Sequence, residues 1–235
     1  MSSHVEQDDT RLESIDQLVA YMEAGCKPTE RWVIGTEHEK VGWWPERNAP
    51  PTYEDPNGIG ALLRGLVEHF GWQPQYENGT IISLLRNQES ITLEPGGQLE
   101  LSGAPFRSLF ETEAELDRHL REVNEASEGL GIHWSGIGIM PWGDPLDMPM
   151  MPKARYSILQ DHLVANGTLG LRMMRQTATV QANLDYGSEE DAFRKFRLSL
   201  WLQPLVIGAF ANSTVVSGSL VDERSFRARI WQDTS

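Results

Sequence analysis

The stretch "TATVQANLDY", residues 177 to 186, alternates without exception: Thr177, Thr179, Gln181, Asn183 and Asp185 take the odd positions, and Ala178, Val180, Ala182, Leu184 and Tyr186 the even ones. A period of two marks a strand whose successive side chains leave on opposite faces. The even face is expected to pack on helices, while the odd face presents two hydroxyls, two amides and a carboxylate. A solvated face of an antiparallel sheet is the competing reading, because such faces are commonly polar. Two things weigh against it: the odd positions hold no Lys or Arg, and the same kind of face recurs elsewhere in the chain.

It recurs in "ITLEPGGQLELSGAP", residues 91 to 105. Read as one continuous strand, this stretch puts Glu94, Gln98, Glu100 and Ser102 on one face and Leu93, Leu99 and Leu101 on the other. Pro95, Gly96 and Gly97 interrupt it, since proline suits an edge or bulge and paired glycines allow a kink or close approach. The register of Glu94 against Glu100 is therefore open. In "WVIGTEHEKVG", residues 32 to 42, the apolar run Trp32, Val33, Ile34 leads into Glu37 and Glu39, which alternation turns to one face with His38 opposite.

Like charges so close repel unless a cation sits between them. Glutamates on two strands beside an amide-rich third form a hard-oxygen surface suited to Mg2+ or Mn2+ rather than zinc, and such ions commonly accompany nucleotide phosphates. Taken alone, "EHE" also reads as a surface strand whose acids meet Arg31 or Lys40.

Bulk composition bounds the rest. At 235 residues and 40% hydrophobic, the chain can bury a large core. Without an internal repeat or low-complexity linker, residues 1 to 235 read as a single domain. A formal net charge of −14 disfavours nucleic acid and anionic membranes as partners. The one cysteine, Cys26, excludes an internal disulfide or a multi-cysteine metal cage and fits a cytoplasmic setting. The opening "MSSHVEQDDTRLES" is too polar and acidic for a signal peptide, and no apolar run is long enough to span a bilayer, so a soluble protein is expected.

Apolar residues at helical spacing predict amphipathic helices near 58 to 71 and 108 to 130. A third should start at Ser188, whose hydroxyl can cap it while Glu189, Glu190 and Asp191 complement the helix dipole. With Phe193, Phe196, Leu200, Trp201 and Leu205, its continuation to Phe210 is expected to cover one face of a sheet.

Other motifs fail on spacing. His38 and Glu39 begin the zinc-protease pattern, but Gly42 stands where its second histidine belongs. No Walker loop or dinucleotide fingerprint occurs, and "GIGIMP" at 136 to 141 lacks a third glycine. His4, His69, His119, His133 and His162 show no ligand spacing. Cys26 has no histidine neighbour to activate it. The methionines at 148 to 151 and 173 to 174 fill a core or line a pocket.

"GTEHEKVG", "ITLEPGGQLELSGAP", "MPKARY" and "TATVQANLDYGSEEDAFRKFR…LQPLVIGAFANS" together resemble the plant and proteobacterial glutamate-cysteine ligases, in order from about residue 20 to the C-terminus. The resemblance implies an α+β, glutamine-synthetase-like fold: an open antiparallel sheet with helices on one face, the polar face holding metal ions and ATP. It implies ligation of glutamate to cysteine at the expense of ATP, through a gamma-glutamyl phosphate, as the first step of glutathione synthesis. By motif match Glu37, Glu39, Glu94 and Glu100 are the metal ligands for Mg2+ or Mn2+, with Gln181 a further candidate. Arg155 falls in a substrate-binding block, where a guanidinium fork suits a carboxylate or phosphate, and is the candidate catalytic group. A surface salt bridge is the other reading of Arg155. Thr177 and Thr179 are placed in the amino-acid pocket.

Ligases of this kind are about twice as long, and this sequence stops at "ARIWQDTS" inside a block that normally continues. The missing half is expected to supply sheet strands, a metal ligand and substrate contacts. Its loss would expose a sheet edge and apolar surface, inviting association with another copy or with that half. A noncatalytic binding protein and a gamma-glutamyl ligase using another amine are the alternative functions.

Overall fold

The computed structural model describes residues 11 to 234; His4 and the first ten residues of the polar N-terminal stretch lie outside the described residues. Along the chain run α1 (Ile15–Ala24), β1 (Ile34–Trp43), α2 (Ile59–Phe70), β2 (Gln73–Glu77), β3 (Thr80–Arg86), β4 (Glu89–Leu93), β5 (Leu99–Ser102), α3 (Leu109–Glu128), β6 (His133–Ser135), α4 (Arg155–Ala165), α5 (Gly170–Gln176), β7 (Val180–Leu184), α6 (Glu189–Phe210), β8 (Val215–Val216), β9 (Ser219–Leu220) and α7 (Phe226–Trp231).

The strands β1 to β7 form one open antiparallel sheet in the order β2-β3-β4-β5-β1-β6, with β7 also paired to β1. Local chemistry sets its corners. Asn78 and Gly79, both at positive φ, make the two-residue turn between β2 and β3, the turn type whose twist matches a hairpin. Helix α2 stops where Gly71 enters the left-handed region at φ 73°. Ser108 caps α3 by accepting the Phe110 N–H, and Ser188 caps α6 by accepting that of Asp191, as its sequence predicts.

The two predicted amphipathic helices form and lie on one sheet face. Ile59, Leu62, Leu63 and Leu66 of α2 and Val123 of α3 share a core with Leu84, Ile91, Leu93, Leu99 and Leu101 of β3 to β5. Where charge enters this layer it is paired: Arg86 bonds both Glu89 and Glu122, Arg118 bonds Glu89, and Trp72 Nε1 donates to Glu122. Removing one member of such a buried pair strands the other, which is why these acids persist beside leucines.

Three expectations are corrected. Residues 91 to 105 are two strands rather than one: the chain reverses at Glu94 to Gln98, where the Gly97 N–H donates to the Glu94 carbonyl and Gly97 takes φ 87°. The facial division survives, because the hairpin pairs Leu93 with Leu99 and Thr92 with Glu100, positions of equal parity. Helix α6 does not cover a sheet face: Phe193, Phe196, Leu200, Trp201 and Leu205 are each more than half exposed. The even face of β7 is equally bare, with Val180 and Leu184 exposed, because the helix meant to cover it stands clear of the sheet. Apolar content signals that a surface is to be buried without stating by what.

Candidate active site

Antiparallel register lines polar side chains into rows across the other sheet face. Ser83 pairs with Thr92, Thr92 with Glu100 and Glu100 with Glu39, whose N–H donates to the Thr179 carbonyl at 3.0 Å. In the next row Ser90 pairs with Ser102, Ser102 with Glu37 and Glu37 with Gln181. On β3, β4, β5 and β1 this is no solvated face: Ser83, Thr92, Glu37 and Glu100 are at most 6% exposed. Buried polar rows of this kind cost free energy unless they are satisfied or have a ligand to meet.

Glu37 is held by the amides of β7, accepting from Asn183 Nδ2 at 2.9 Å and from Gln181 Nε2. The two candidate ligands Glu37 and Gln181 thus bond each other. Glu39 is held differently: its Oε2 accepts the Thr179 N–H at 2.9 Å. Asp185, at the end of the same odd face, takes no part in the cluster and instead clamps Lys27 at 2.7 Å and the Val33 N–H at 3.0 Å.

Glu39, Glu94 and Glu100 come together electrostatically. Burial, and then the nearby charges of Glu94 and Glu100, push the Glu39 carboxyl up to about 8. Burial and the Glu100 charge likewise raise Glu94. Ser102 Oγ donates to Glu100 Oε1 at 2.6 Å. Two carboxyls held back from ionising by burial and by the charge of a third form a place where a cation would be welcome.

A cavity of about 170 Å³ opens on this cluster, lined by Glu39, Glu94, Pro95, Gln98, Leu159, Met173, Met174, Thr177, Thr179, Gln181, Arg227 and Trp231. Gln98 is nearly fully buried; its Nε2 donates to the Thr177 carbonyl at 2.7 Å, whereas its Oε1 has no hydrogen-bond partner. An orphaned amide oxygen beside three carboxyls is a hard-oxygen donor set, which fits Mg2+ or Mn2+. Among the described residues, no group of three or more His, Cys, Asp or Glu side chains stands close enough to hold an ion outright.

Thr177 and Thr179 both face this cavity, Thr177 buried with its hydroxyl donated to the Met173 carbonyl at 2.7 Å. Met173 and Met174 are pocket walls, whereas Met148 and Met151 are core. Arg155, at the start of α4, borders a second cavity of about 500 Å³ with Tyr156, Ile158 and His162; Glu94 and Leu159 line both cavities.

Sequence reasoning missed two of the cations nearest the acids, Arg227 and Lys153. Arg227, on α7, faces Glu39 across the cavity, and its buried Nε has no hydrogen-bond partner. Lys153 donates to the Leu93 carbonyl at 2.8 Å, and burial lowers it while the neighbouring Glu94 charge supports it. Lys40, behind the sheet, is lowered to about 8 by burial and supported by Glu100 and Glu39. No periodicity could have signalled Arg227, because α7 reaches the sheet only through tertiary packing; Lys153 stood two residues from Arg155 in a block already singled out.

Residues 33 to 235 match the family model described as Glutamate-cysteine ligase family 2 (GCS2). The chain belongs to this family. Its α+β architecture and open antiparallel sheet are those of the glutamine-synthetase-like fold that the family shares. Among curated proteins it is 46% identical to glutamate-cysteine ligase A, chloroplastic, of Oryza sativa subsp. japonica, over 93% of this chain and 44% of that protein. It is 46% identical to the chloroplastic ligase of Nicotiana tabacum and 45% identical to that of Arabidopsis thaliana, over 93% of this chain and 41% of each relative. This family-2 chain therefore spans less than half the length of the curated relatives it matches. Among the described residues no helix is long and apolar enough to cross a membrane.

Proposed function

We propose that this chain carries the phosphoryl-transfer face of an ATP-dependent glutamate-cysteine ligase, in a reducing compartment such as the cytoplasm. The observation that carries the reading is the convergence of Glu39 and Glu94, with the charge of Glu100 close to both, on a cavity that Arg227 also lines, with Arg155 on the far side of Glu94. In the proposed reaction a side-chain carboxylate oxygen of glutamate attacks the terminal phosphorus of ATP and ADP leaves. The cysteine nitrogen then attacks the acyl carbon, phosphate leaves and the amine gives up a proton, yielding gamma-glutamylcysteine, the first intermediate of glutathione synthesis.

Such chemistry is mostly positioning and charge neutralisation, because the carboxylate and the triphosphate that must meet are both anionic. Glu39, Glu94 and Glu100 would hold Mg2+ or Mn2+, with Gln98 Oε1 beside them and Glu37 and Gln181 in the adjoining row. A bound divalent ion supplies positive charge to the phosphate oxygens. Arg155 would grip the alpha-carboxylate of glutamate or a phosphate through its planar fork, and Arg227 fixes a second positive charge opposite Glu39. Thr177 and Thr179 line the end of the cavity assigned to the amino acid.

Coverage of less than half of each relative favours a second reading, in which residues 1 to 235 bind metal and nucleotide but do not turn over alone. Both are tested by assaying ADP and gamma-glutamylcysteine with ATP, Mg2+, glutamate and cysteine. One sample is the chain itself, the other a chimera extended at residue 235 with the remaining portion of the rice relative. Product from the chain alone establishes a self-sufficient ligase, and product from the chimera only establishes the second reading. ADP release that needs glutamate and a different amine would redirect the acceptor, and no ADP release from either sample would contradict the ligase reading.

A further inference from the structure

Arg227 reaches the cavity from a helix too short to stand by itself. Helix α7 has six residues, and isolated helices shorter than about 12–15 residues are marginal in water. What aims Arg227 at Glu39 must therefore lie outside α7. The guanidinium does little to fix itself: its buried Nε has no hydrogen-bond partner, and its central carbon stands 5.4 Å from the centre of the Trp231 ring, one turn further along. Arg227 goes where the backbone of α7 and the Trp231 ring carry it.

Both ends of α7 are tied down. At its start the buried Ser213 receives two N–H groups of the first turn: its carbonyl accepts that of Phe226 at 3.2 Å, and its hydroxyl accepts that of Arg227 at 3.1 Å. At the far end, two residues past Trp231, Asp233 Oδ2 accepts from the segment leading into α5: the Thr168 N–H at 2.6 Å, the Thr168 hydroxyl at 2.8 Å and the Leu169 N–H at 2.6 Å. A charged acceptor makes such bonds stronger than neutral ones, and they hold the Asp233 carboxyl below its ordinary range, the Thr168 hydroxyl foremost. The two segments approach so closely that a Cβ on Gly167, at φ 83°, would lie 1.9 Å from the Asp233 carbonyl oxygen. Between the two ties, Phe226 and Ile230 share a core with Ile139 and Val216, and Leu169 and Met173 pack against it. Helix α5 with Met173 and Met174 and helix α7 with Arg227 and Trp231 are thus joined where they wall the cavity.

We infer that Ser213 and Asp233 are positioning residues, a clamp on the two ends of α7 that holds Arg227 opposite Glu39. Neither residue lines the cavity, and both act through Arg227. This inference rests on the charge role given to Arg227 above, and its first readout needs no turnover, so the clamp and the reaction are judged separately.

The test starts with nuclear magnetic resonance of the nitrogen-labelled 235-residue chain, in which the Arg227 Nε–H signal is identified by its loss in Arg227→Lys. Asp233→Ala and Ser213→Ala should each displace or broaden that signal while the amide signals of β3 to β5 stay in place. Asp233→Asn, which keeps one carbonyl oxygen, should do so less, and it decides in place of Asp233→Ala if the latter fails to fold. In whichever sample turns over, the chain or the chimera, Arg227→Ala shows whether the KM for glutamate or for MgATP depends on this charge. Asp233→Ala should raise that same KM by about 10-fold, within the roughly 100-fold that a misplacement of about 1 Å can cost, and the double variant should be no worse than Arg227→Ala alone. An Arg227 signal unmoved by the Asp233 and Ser213 variants would overturn the inference, as would a double variant whose losses multiply. If the signal moves but Arg227→Ala changes neither KM, the clamp stands and the charge role of Arg227 falls.

Discussion

Glu39 carries the largest electrostatic tension in the site. Its carboxyl ionises near 4.5 when free and near 8 here. Between those values the folded chain holds a proton that the unfolded chain has released, so this group's contribution to stability is fully present below about pH 4.5 and is lost as pH rises to about 8. Glu94, raised for the same reasons, adds in the same direction. A divalent cation replaces the proton. Added Mg2+ should therefore raise the thermal unfolding midpoint more at pH 8 than at pH 5.5, and Glu39→Gln should shrink that difference. An equal Mg2+ effect at both pH values would show that the ion binds elsewhere. At this scale sequence alternation made the facing of Glu37, Glu39 and Glu100 legible. It could not show that Glu37 is occupied by Gln181 and Asn183 while Glu39 looks toward Arg227, because alternation fixes a face and not a neighbour.

The β4–β5 hairpin is the element that aims two of the three acids. Its turn has no room to spare: a Cβ on Gly96 would lie 2.0 Å from the carbonyl oxygen of Arg175, at the end of α5. Gly96→Ala should therefore push the turn off α5 and cost about 1–3 kcal/mol, the usual scale of forced overpacking, as measured by urea unfolding. A variant as stable as the parent would mean that α5 yields freely. Behind the hairpin, Leu101 is fully buried between the sheet and its helices, and Leu101→Ala should cost about 2–5 kcal/mol. A loss below about 1 kcal/mol would contradict the close packing of that layer. The leucine parity of this stretch was legible although its reversal was not. Pro-Gly-Gly signalled a break, but a bulge and a tight hairpin keep the same residue types, and only pairing distinguishes them.

Across the whole molecule, the buried half was easier to foresee than the exposed half. The amphipathic stripes of α2 and α3 point to one side, so their partner had to be the apolar sheet face. Helix α6 has apolar residues on every side, and a pattern without direction names no partner. The same limit hid Arg227, which enters the site from the last helix, far from every strand it serves. What the family and the structure together supply is a polar sheet face with three mutually repelling carboxyls and an orphaned amide oxygen. The most direct measurement is Mn2+ binding to the 235-residue chain, followed by electron paramagnetic resonance with and without ATP, in the parent and in Glu100→Gln. The account predicts binding by the parent that Glu100→Gln weakens by about 10-fold or more, at least the scale of losing an outer-shell partner. Equal Mn2+ affinity in the two proteins would contradict the placement of the metal on this face.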